Sequence, residues 1–323
     1  MEDVIYGPVR SDLDRVKEKL CTFTPVGITH FPDSHEMLGQ ILGGGKLLRP
    51  LLVLHSGRFY NYRPEKLLVA AMSVEMLHVA TLVHDDAIDK ASTRRGKPTI
   101  NSIWGPDKAI VLGDYLFASA AEFAAETESI RAVKLFAGAL ASISTGELRQ
   151  SFSAHKVNQT YDQYLSRIIG KTASLFAMTT KMGAVLSDAP EESVQVLRNY
   201  GLNLGIAFQI MDDVLDFIGT EEELGKPVAS DLLQGTVTLP SLKILQQYPD
   251  DNPVKRLFEG NGDEADNIAE AIELVKDTSI LDECLQTAFD YSQEACKNLD
   301  SLPESTSKES LYALADFMVK RRY

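Results

Sequence analysis

Apolar residues recur along this chain at three- and four-residue intervals, the mark of helices that bury one face. Val74, Leu77, His78, Thr81 and Leu82 show the spacing, as do Leu204, Phe208, Met211 and Leu215. No proline occurs between Pro106 and Pro190, nor between Pro190 and Pro227, and those intervals are rich in Ala, Leu, Met and Glu. Both features predict long helices. Strand-like alternation is nearly absent: Thr236-Val237-Thr238-Leu239 is the best candidate, and Pro240 cuts it short. Turn signals fall at Gly43-Gly44-Gly45, Arg95-Gly96-Lys97-Pro98, Gly105-Pro106, Ala189-Pro190, Gly225-Lys226-Pro227 and Gly260 to Gly262. None has the composition of a flexible linker, and no solenoid-length repeat stands out. The pattern predicts an all-α fold in a single domain over residues 1–323.

Within this helical pattern one short motif occurs twice. Val83-His84-Asp85-Asp86-Ala87-Ile88-Asp89 and Ile210-Met211-Asp212-Asp213-Val214-Leu215-Asp216 each put a DDxxD at the end of a long apolar run. Residues four apart lie one above the other on a helix, so Asp85 projects with Asp89, and Asp212 with Asp216. Asp86 and Asp213 point roughly 100° away from their neighbours. Carboxylates this close repel unless a cation joins them. Magnesium suits the arrangement, because it takes one or two carboxylates and completes its shell with water and phosphate oxygens. The bland alternative is a pair of solvated acidic helix ends. Capping does not account for them, since each cluster follows its apolar run and anions are unfavourable near a helix C-terminus. Two such clusters, with basic residues elsewhere, point to metal-diphosphate chemistry.

Charge sharpens the picture. Hydrophobic residues make up 44% of the chain and charged residues 24%, the profile of a globular protein, with a formal net charge of −14. Such a chain repels nucleic-acid backbones and anionic membranes as general partners. One that handles phosphates must concentrate its cations locally or recruit a metal. Gly44-Gly45-Lys46-Leu47-Leu48-Arg49-Pro50 sets Lys46 and Arg49 beside a glycine turn, and Arg94-Arg95-Gly96-Lys97-Pro98 follows the first acidic cluster. Arginine matches phosphate with a rigid bidentate fork. Alone, each basic pair reads as solvated surface; beside the acidic clusters, each reads as phosphate binding.

Other candidates need sorting. Gly170-Lys171-Thr172 lacks the glycine a P-loop requires, because position 165 is Leu165. His78 lies on the helix leading to Asp85 and has the place to donate a hydrogen bond to a diphosphate, whereas His84 is read as structural. Gln209 shares the face of Asp212 and can offer its amide oxygen to a cation. Cys21, Cys284 and Cys296 are scattered and read as reduced thiols. The acidic start Met1-Glu2-Asp3 does not look like a signal peptide, and no stretch approaches the about 20 apolar residues of a membrane span, so a cytoplasmic enzyme is expected.

Taken together, Gly44 to Pro50, Asp85 to Asp89, Arg94-Arg95-Gly96, Gly170-Lys171-Thr172, Gln209 to Asp216 and Lys226 resemble, in order, the marks of the all-trans polyprenyl diphosphate synthases, within the isoprenyl diphosphate synthase family. The resemblance spans most of the chain. It implies a helical bundle of isoprenoid synthase type around a central cavity, usually a homodimer, with the acidic clusters facing each other across its mouth. It makes Asp85, Asp89 and Asp212 magnesium ligands, with Asp86, Asp213 and Asp216 as further ligands or their supports. It assigns the allylic diphosphate to Arg94, Lys171 and Lys226, and isopentenyl diphosphate to Lys46, Arg49, His78 and Arg95. Lys171, Thr172 and Gln209 fall at the reacting centre, Thr172 and Gln209 lining the allylic carbon. The implied reaction is ionisation of the allylic diphosphate, attack by the isopentenyl double bond, and loss of a proton to the released diphosphate.

Product length turns on Ala80 and Thr81, about one helical turn, roughly 5 Å, before Asp85. One isoprene unit is about as long as such a turn. Short-chain members of the family resemble this chain except for bulk at these positions or an expanded first acidic motif, so a long-chain product is expected. The alternative is a shorter product, geranylgeranyl or farnesyl diphosphate, with the cavity closed further down, at Leu77, Phe117 or Phe136. A terpene cyclase or a squalene-type enzyme fits less well, because both DDxxD motifs and the Lys46–Arg49 pair are present. A non-catalytic partner subunit is disfavoured because no aspartate is missing. Lys320-Arg321-Arg322-Tyr323 reads as a solvated tail.

Overall fold

The computed structural model describes residues 1–23, 38, 39, 41–94, 96–225 and 227–320. Arg95, Lys226 and Arg321-Arg322-Tyr323 lie outside the described residues. The chain opens with α1 (Glu2–Tyr6), α2 (Arg10–Cys21), α3 (Leu48–Gly57) and α4 (Pro64–Ile88). Strands β1 (Thr93–Arg94) and β2 (Lys97–Pro98) form a small antiparallel hairpin. Then come α5 (Ile100–Trp104), α6 (Pro106–Glu126), α7 (Ile130–Ser153), α8 (Tyr161–Ile168), a π turn (Ile169–Ala173) and α9 (Ser174–Leu186). The remainder is α10 (Glu191–Ile218), α11 (Glu221–Leu224), α12 (Ser230–Leu233), α13 (Leu239–Gln247), α14 (Pro253–Glu259), α15 (Glu264–Asp277), α16 (Ile280–Leu299) and α17 (Thr306–Lys320).

Its contacts divide the chain into two compact units. The first holds Met1–Leu140, Phe176–Gly201 and Asn298–Leu314; the second holds Ala141–Leu175, Leu202–Lys297 and Ala315–Tyr323.

The first unit is organised around α4, which packs chiefly against α6 and α3. Pro64 opens this helix at a position where its missing N–H costs nothing. Leu67, Leu68, Val74, Met76, Leu77 and Ala80 are all buried, and the Ser73 hydroxyl donates to the Ala120 carbonyl at 2.7 Å. Because neighbours cover α4 on several sides, it is apolar nearly all round. By length and composition it could therefore cross a membrane, contrary to the sequence expectation. Its burial, with Glu75 and Asp86 among the buried residues, makes it a core helix instead.

The second unit buries Tyr164, Ile168, Ile210, Val214, Phe217, Leu239 and Ile280 in one cluster. Helix α8 starts from a reciprocal cap, in which the Thr160 hydroxyl accepts from the Gln163 N–H and the Gln163 side chain accepts from the Thr160 N–H. A similar cap accounts for Thr236–Leu239, the best strand candidate in a chain expected to be all-α. Thr238 N–H donates to Ser241 Oγ at 2.8 Å and α13 begins at Leu239, so the β-branched residues there lead into a helix. Cys21, Cys284 and Cys296 form no disulfide among the described residues, and burial pushes the Cys284 thiol up to about 12.

His55 ties the N-terminus into the first unit. Its Nε2 lies 2.8 Å from the Ile5 carbonyl and its Nδ1 3.1 Å from Ser307 Oγ. Burial pulls its pKa from 6.5 down to about 4, against the opposing effect of the Ile5 bond. Below pH 6.5 the unfolded chain binds this proton and the folded one does not, so stability drains away until the folded ring titrates near 4. A shift of that size is worth about 3 kcal/mol. Urea unfolding between pH 7 and 4 should show a shallower loss of stability in His55→Gln than in the wild type; parallel curves would refute the assignment.

Candidate active site

The first acidic cluster closes α4. Asp85 is half-buried, Asp86 is buried and Asp89, at the helix end, is exposed. The hairpin that follows folds Arg94 back onto Asp86, with Nε and Nη2 both 2.9 Å from Oδ1. Burial raises the Asp86 carboxyl, and the Arg94 charge and hydrogen bond work against it. Ala91 N–H caps the turn on the Asp86 carbonyl at 2.9 Å, and the Thr99 hydroxyl holds Ala91 O at 2.7 Å. Arg94 is therefore held at the acidic cluster by local backbone geometry.

The same unit carries Lys46 and Arg49. Gly45 takes φ 90°, which a side chain would resist, and Leu47 is left-handed at φ 49°, just before α3. Lys46 is exposed, with its carbonyl accepting from Tyr6 OH at 3.1 Å. Arg49 is buried, its guanidinium 4.9 Å from the centre of the Phe176 ring. His78 is half-buried, and its carbonyl accepts from the Thr81 hydroxyl at 2.7 Å. Ala80 is fully buried. His84 packs on Gly113, where a Cβ would come within 2.1 Å of the ring, and its Nε2 lies 2.9 Å from the Ile110 carbonyl. That is a structural role.

In the second unit the acidic cluster lies within α10. Asp212 is exposed, whereas Asp213 and Asp216 are buried. Asp213 accepts from Tyr164 OH at 2.7 Å and from Gln209 Nε2 at 2.9 Å. Burial, followed by the charge of Asp231, raises its pKa to about 7, while the two hydrogen bonds pull downward. Asp216 accepts from Ser230 Oγ at 3.0 Å and from Asp231 N–H at 3.2 Å. Its carbonyl accepts from Ala229 N–H at 2.7 Å, so this aspartate pins the start of α12.

Lys171 and Thr172 sit in the π turn, a geometry that often marks functional positions in helices. A P-loop reading is excluded by the helical backbone as well as by Leu165. The turn lies against α7 at a glycine contact: a Cβ on Gly146 would stand 2.5 Å from Lys171 N, and one on Gly170 would stand 3.2 Å from Gly146 Cα. This close approach brings Lys171 Nζ to 2.6 Å from Glu147 Oε2 and 3.4 Å from Gln150 Oε1. The Thr172 hydroxyl donates to Gln209 Oε1 at 2.7 Å.

Sequence reasoning did not single out Tyr164, Arg167, Glu147 or Ser230. A tyrosine on an apolar helix face carries no visible signal, and Ser230 declares itself only through its bond to Asp216. Glu147 offered one clue, a charged residue next to a glycine in an otherwise helical run.

The donor set suits magnesium. Both clusters offer carboxylate oxygen alone, the hard ligand that this ion prefers. Among the described residues no three His, Cys, Asp or Glu side chains form a ready-made cage.

Helices ending in paired carboxylates, with arginine and lysine held beside them, define an all-α enzyme of the isoprenoid synthase fold. A polyprenyl synthase from Caulobacter crescentus, solved with calcium and isoprenyl diphosphate, superposes with a TM-score of 0.92 at 34% identity, covering 100% of this chain and 98% of that one. The heptaprenyl diphosphate synthase component 2 of Geobacillus stearothermophilus is 39% identical over 321 residues, 99% of this chain and 98% of its own. The geranylgeranyl diphosphate synthase of Saccharolobus solfataricus is 37% identical over 296 residues, 86% and 87% of the two chains. The polyprenyl synthetase family model matches residues 32–275, and the chain belongs to that family. It is a trans-prenyltransferase.

The glycine contact behind Lys171 makes a direct prediction. Gly146→Ala puts a methyl group into the backbone at Lys171, and overpacking of this kind costs about 1–3 kcal/mol. Denaturant unfolding should show that loss; an unchanged midpoint would mean the contact is slack.

Proposed function

We propose that this trans-prenyltransferase uses magnesium to condense isopentenyl diphosphate with an allylic diphosphate, giving a long all-trans polyprenyl diphosphate. The observation that carries the reading is the division within each DDxxD. Asp86, Asp213 and Asp216 are buried on protein donors, while Asp89 and Asp212 are exposed at the ends of their runs.

In this reading Asp85, Asp89 and Asp212 hold magnesium, and the inner aspartates fix their direction. Bound magnesium supplies charge that stabilises the departing diphosphate. Arg94, Lys171 and Lys226 hold the allylic diphosphate, and Lys46, Arg49, His78 and Arg95 hold isopentenyl diphosphate. Fixed cations favour the separated charge more than the intact ester, which is what lowers the barrier. Thr172 and Gln209 face the allylic carbon as it becomes cationic. The isopentenyl double bond attacks that carbon, and the proton lost from the adduct goes to the released diphosphate. Turnover in Asp85→Ala should fall by about 10²–10³, the scale of removing one preorganised group. The assay is labelled isopentenyl diphosphate with an allylic primer and magnesium. Near-normal turnover at saturating magnesium would falsify the ligand role.

Product length is read from α4. The relatives named above include both a heptaprenyl and a geranylgeranyl synthase, so likeness alone does not fix it. Ala80 is small and buried about one turn before Asp85, and Thr81 is occupied with the His78 carbonyl. Neither blocks a chain growing along the helix. Ala80→Phe should shift the products to shorter chains on mass spectrometry; an unchanged distribution would move the wall elsewhere.

Assembly has two readings. A homodimer is the first. The Geobacillus relative is named a component, which favours a second polypeptide as the alternative partner. Val111 is 67% exposed and Ile130 77% exposed, apolar surface of the kind an assembly covers. Light scattering and a turnover assay on the purified protein separate the two: a dimer that turns over supports the homodimer, and an inactive monomer supports a missing partner.

A further inference from the structure

Tyr164 is fully buried, so water cannot stand in for its hydroxyl. That hydroxyl donates to Asp213 Oδ2 at 2.7 Å, and Gln209 Nε2 donates to Oδ1 at 2.9 Å. With donors on both oxygens, Asp213 accepts at each of them. The glutamine must then turn its NH₂ toward Asp213 and its oxygen away. Gln209 Oε1 in turn accepts the hydroxyl hydrogen of Thr172 at 2.7 Å. A hydroxyl has one hydrogen, and once that is spent only lone pairs remain. The four residues thus form a one-way line of hydrogen bonds, and its polarity is set at the buried carboxylate.

We propose that Tyr164 is a positioning residue that, through Asp213 and Gln209, turns the Thr172 hydroxyl so that it shows an oxygen lone pair, not a hydrogen, to the allylic carbon. The proposal rests on the reading above that Thr172 lines that carbon. A lone pair stabilises the positive charge that grows as the carbon–oxygen bond breaks and the electron pair leaves with the diphosphate. A hydrogen in its place would oppose it. The tyrosine ring is itself held: the Arg167 guanidinium lies 5.6 Å from its centre, and Arg167 donates to the Gln159 side chain at 3.0 Å and to the Val237 carbonyl.

Removing the hydroxyl strands one oxygen of Asp213 in a dry site, where an unmet acceptor is costly. With that donor gone the carboxylate is no longer held at both oxygens, Gln209 Nε2 loses a fixed acceptor, and the Thr172 hydroxyl is no longer kept in one orientation. The defect therefore falls on the ionisation step and passes through Thr172.

The test is a double-mutant cycle of Tyr164→Phe and Thr172→Val, with kcat and both KM values measured. Tyr164→Phe should lower kcat about tenfold, the effect of mispolarising one preorganised group, with KM changed less than about twofold. Paired with Thr172→Val it should cost nothing further, because both changes break one line. A fluorinated allylic diphosphate, which resists ionisation, should slow the Tyr164→Phe protein by a larger factor than the wild type. Additive losses, a loss confined to KM, or an unchanged fluorine effect would overturn the role. If Tyr164→Phe does not fold, Gln209→Met cuts the same line and must show the same non-additivity with Thr172→Val. A wild type that makes no prenyl product sinks the condensation reading and this role with it. An active wild type with an additive cycle sinks only the role of Tyr164.

Discussion

Neighbouring carboxylates cannot all stay ionised in a dry site unless each finds its own positive or donating partner. The two aspartate clusters meet this constraint in the same way. One member of the first, Asp86, goes inward to Arg94, whose Nε and Nη2 share its Oδ1; two of the second, Asp213 and Asp216, go inward to hydroxyl, amide and backbone donors. Asp89 and Asp212, by contrast, are exposed. The inner residues also shape the chain around them. Asp86 draws in the hairpin that carries Arg94, and Asp216 sets the start of α12.

Much of this was legible from the chain itself. Three- and four-residue periodicity and missing prolines revealed the helices, because backbone geometry ties apolar spacing to the buried face. The doubled DDxxD and the basic clusters were legible for a similar reason: charges at fixed spacing on a helix have few structural uses. The failures are instructive in the same terms. Thr236–Leu239 is the best strand candidate by its β-branched residues, yet the Thr238 N–H bonds to the Ser241 hydroxyl and a helix opens at Leu239. Helix α4 passes for a core helix or a membrane span by composition alone, and only its burial in the first unit decides between them.

What sequence could not show is which polar residues meet across distance. Thr172 and Gln209, or Tyr164 and Asp213, are far apart in sequence, and nothing local marks either pair. The close packing of α7 against the π turn is equally silent in the sequence: a Cβ on Gly146 would collide with Lys171 N, and one on Gly170 would be tight against Gly146. Read singly, each glycine is only a weakness in a helix; the contact between them is what gives each its reason.

The acidic character of the chain acquires a use once the cations are located. Lys171 is held by Glu147 at 2.6 Å and Arg94 by Asp86 at 2.9 Å, so both are oriented before any substrate arrives. Holding long side chains in place removes an entropic cost that the ligand would otherwise meet. It also raises the threshold for binding, since an approaching anion must compete with a carboxylate already in contact. A weakly charged ligand gains little from that exchange. A diphosphate, with more charge and more acceptor oxygens than one carboxylate, can gain from it, especially when it brings magnesium as a counter-charge. In the proposed reading a net charge of −14 is compatible with anionic substrates, because a few pre-paired cations would do the selecting while the surrounding field discourages anything less strongly held.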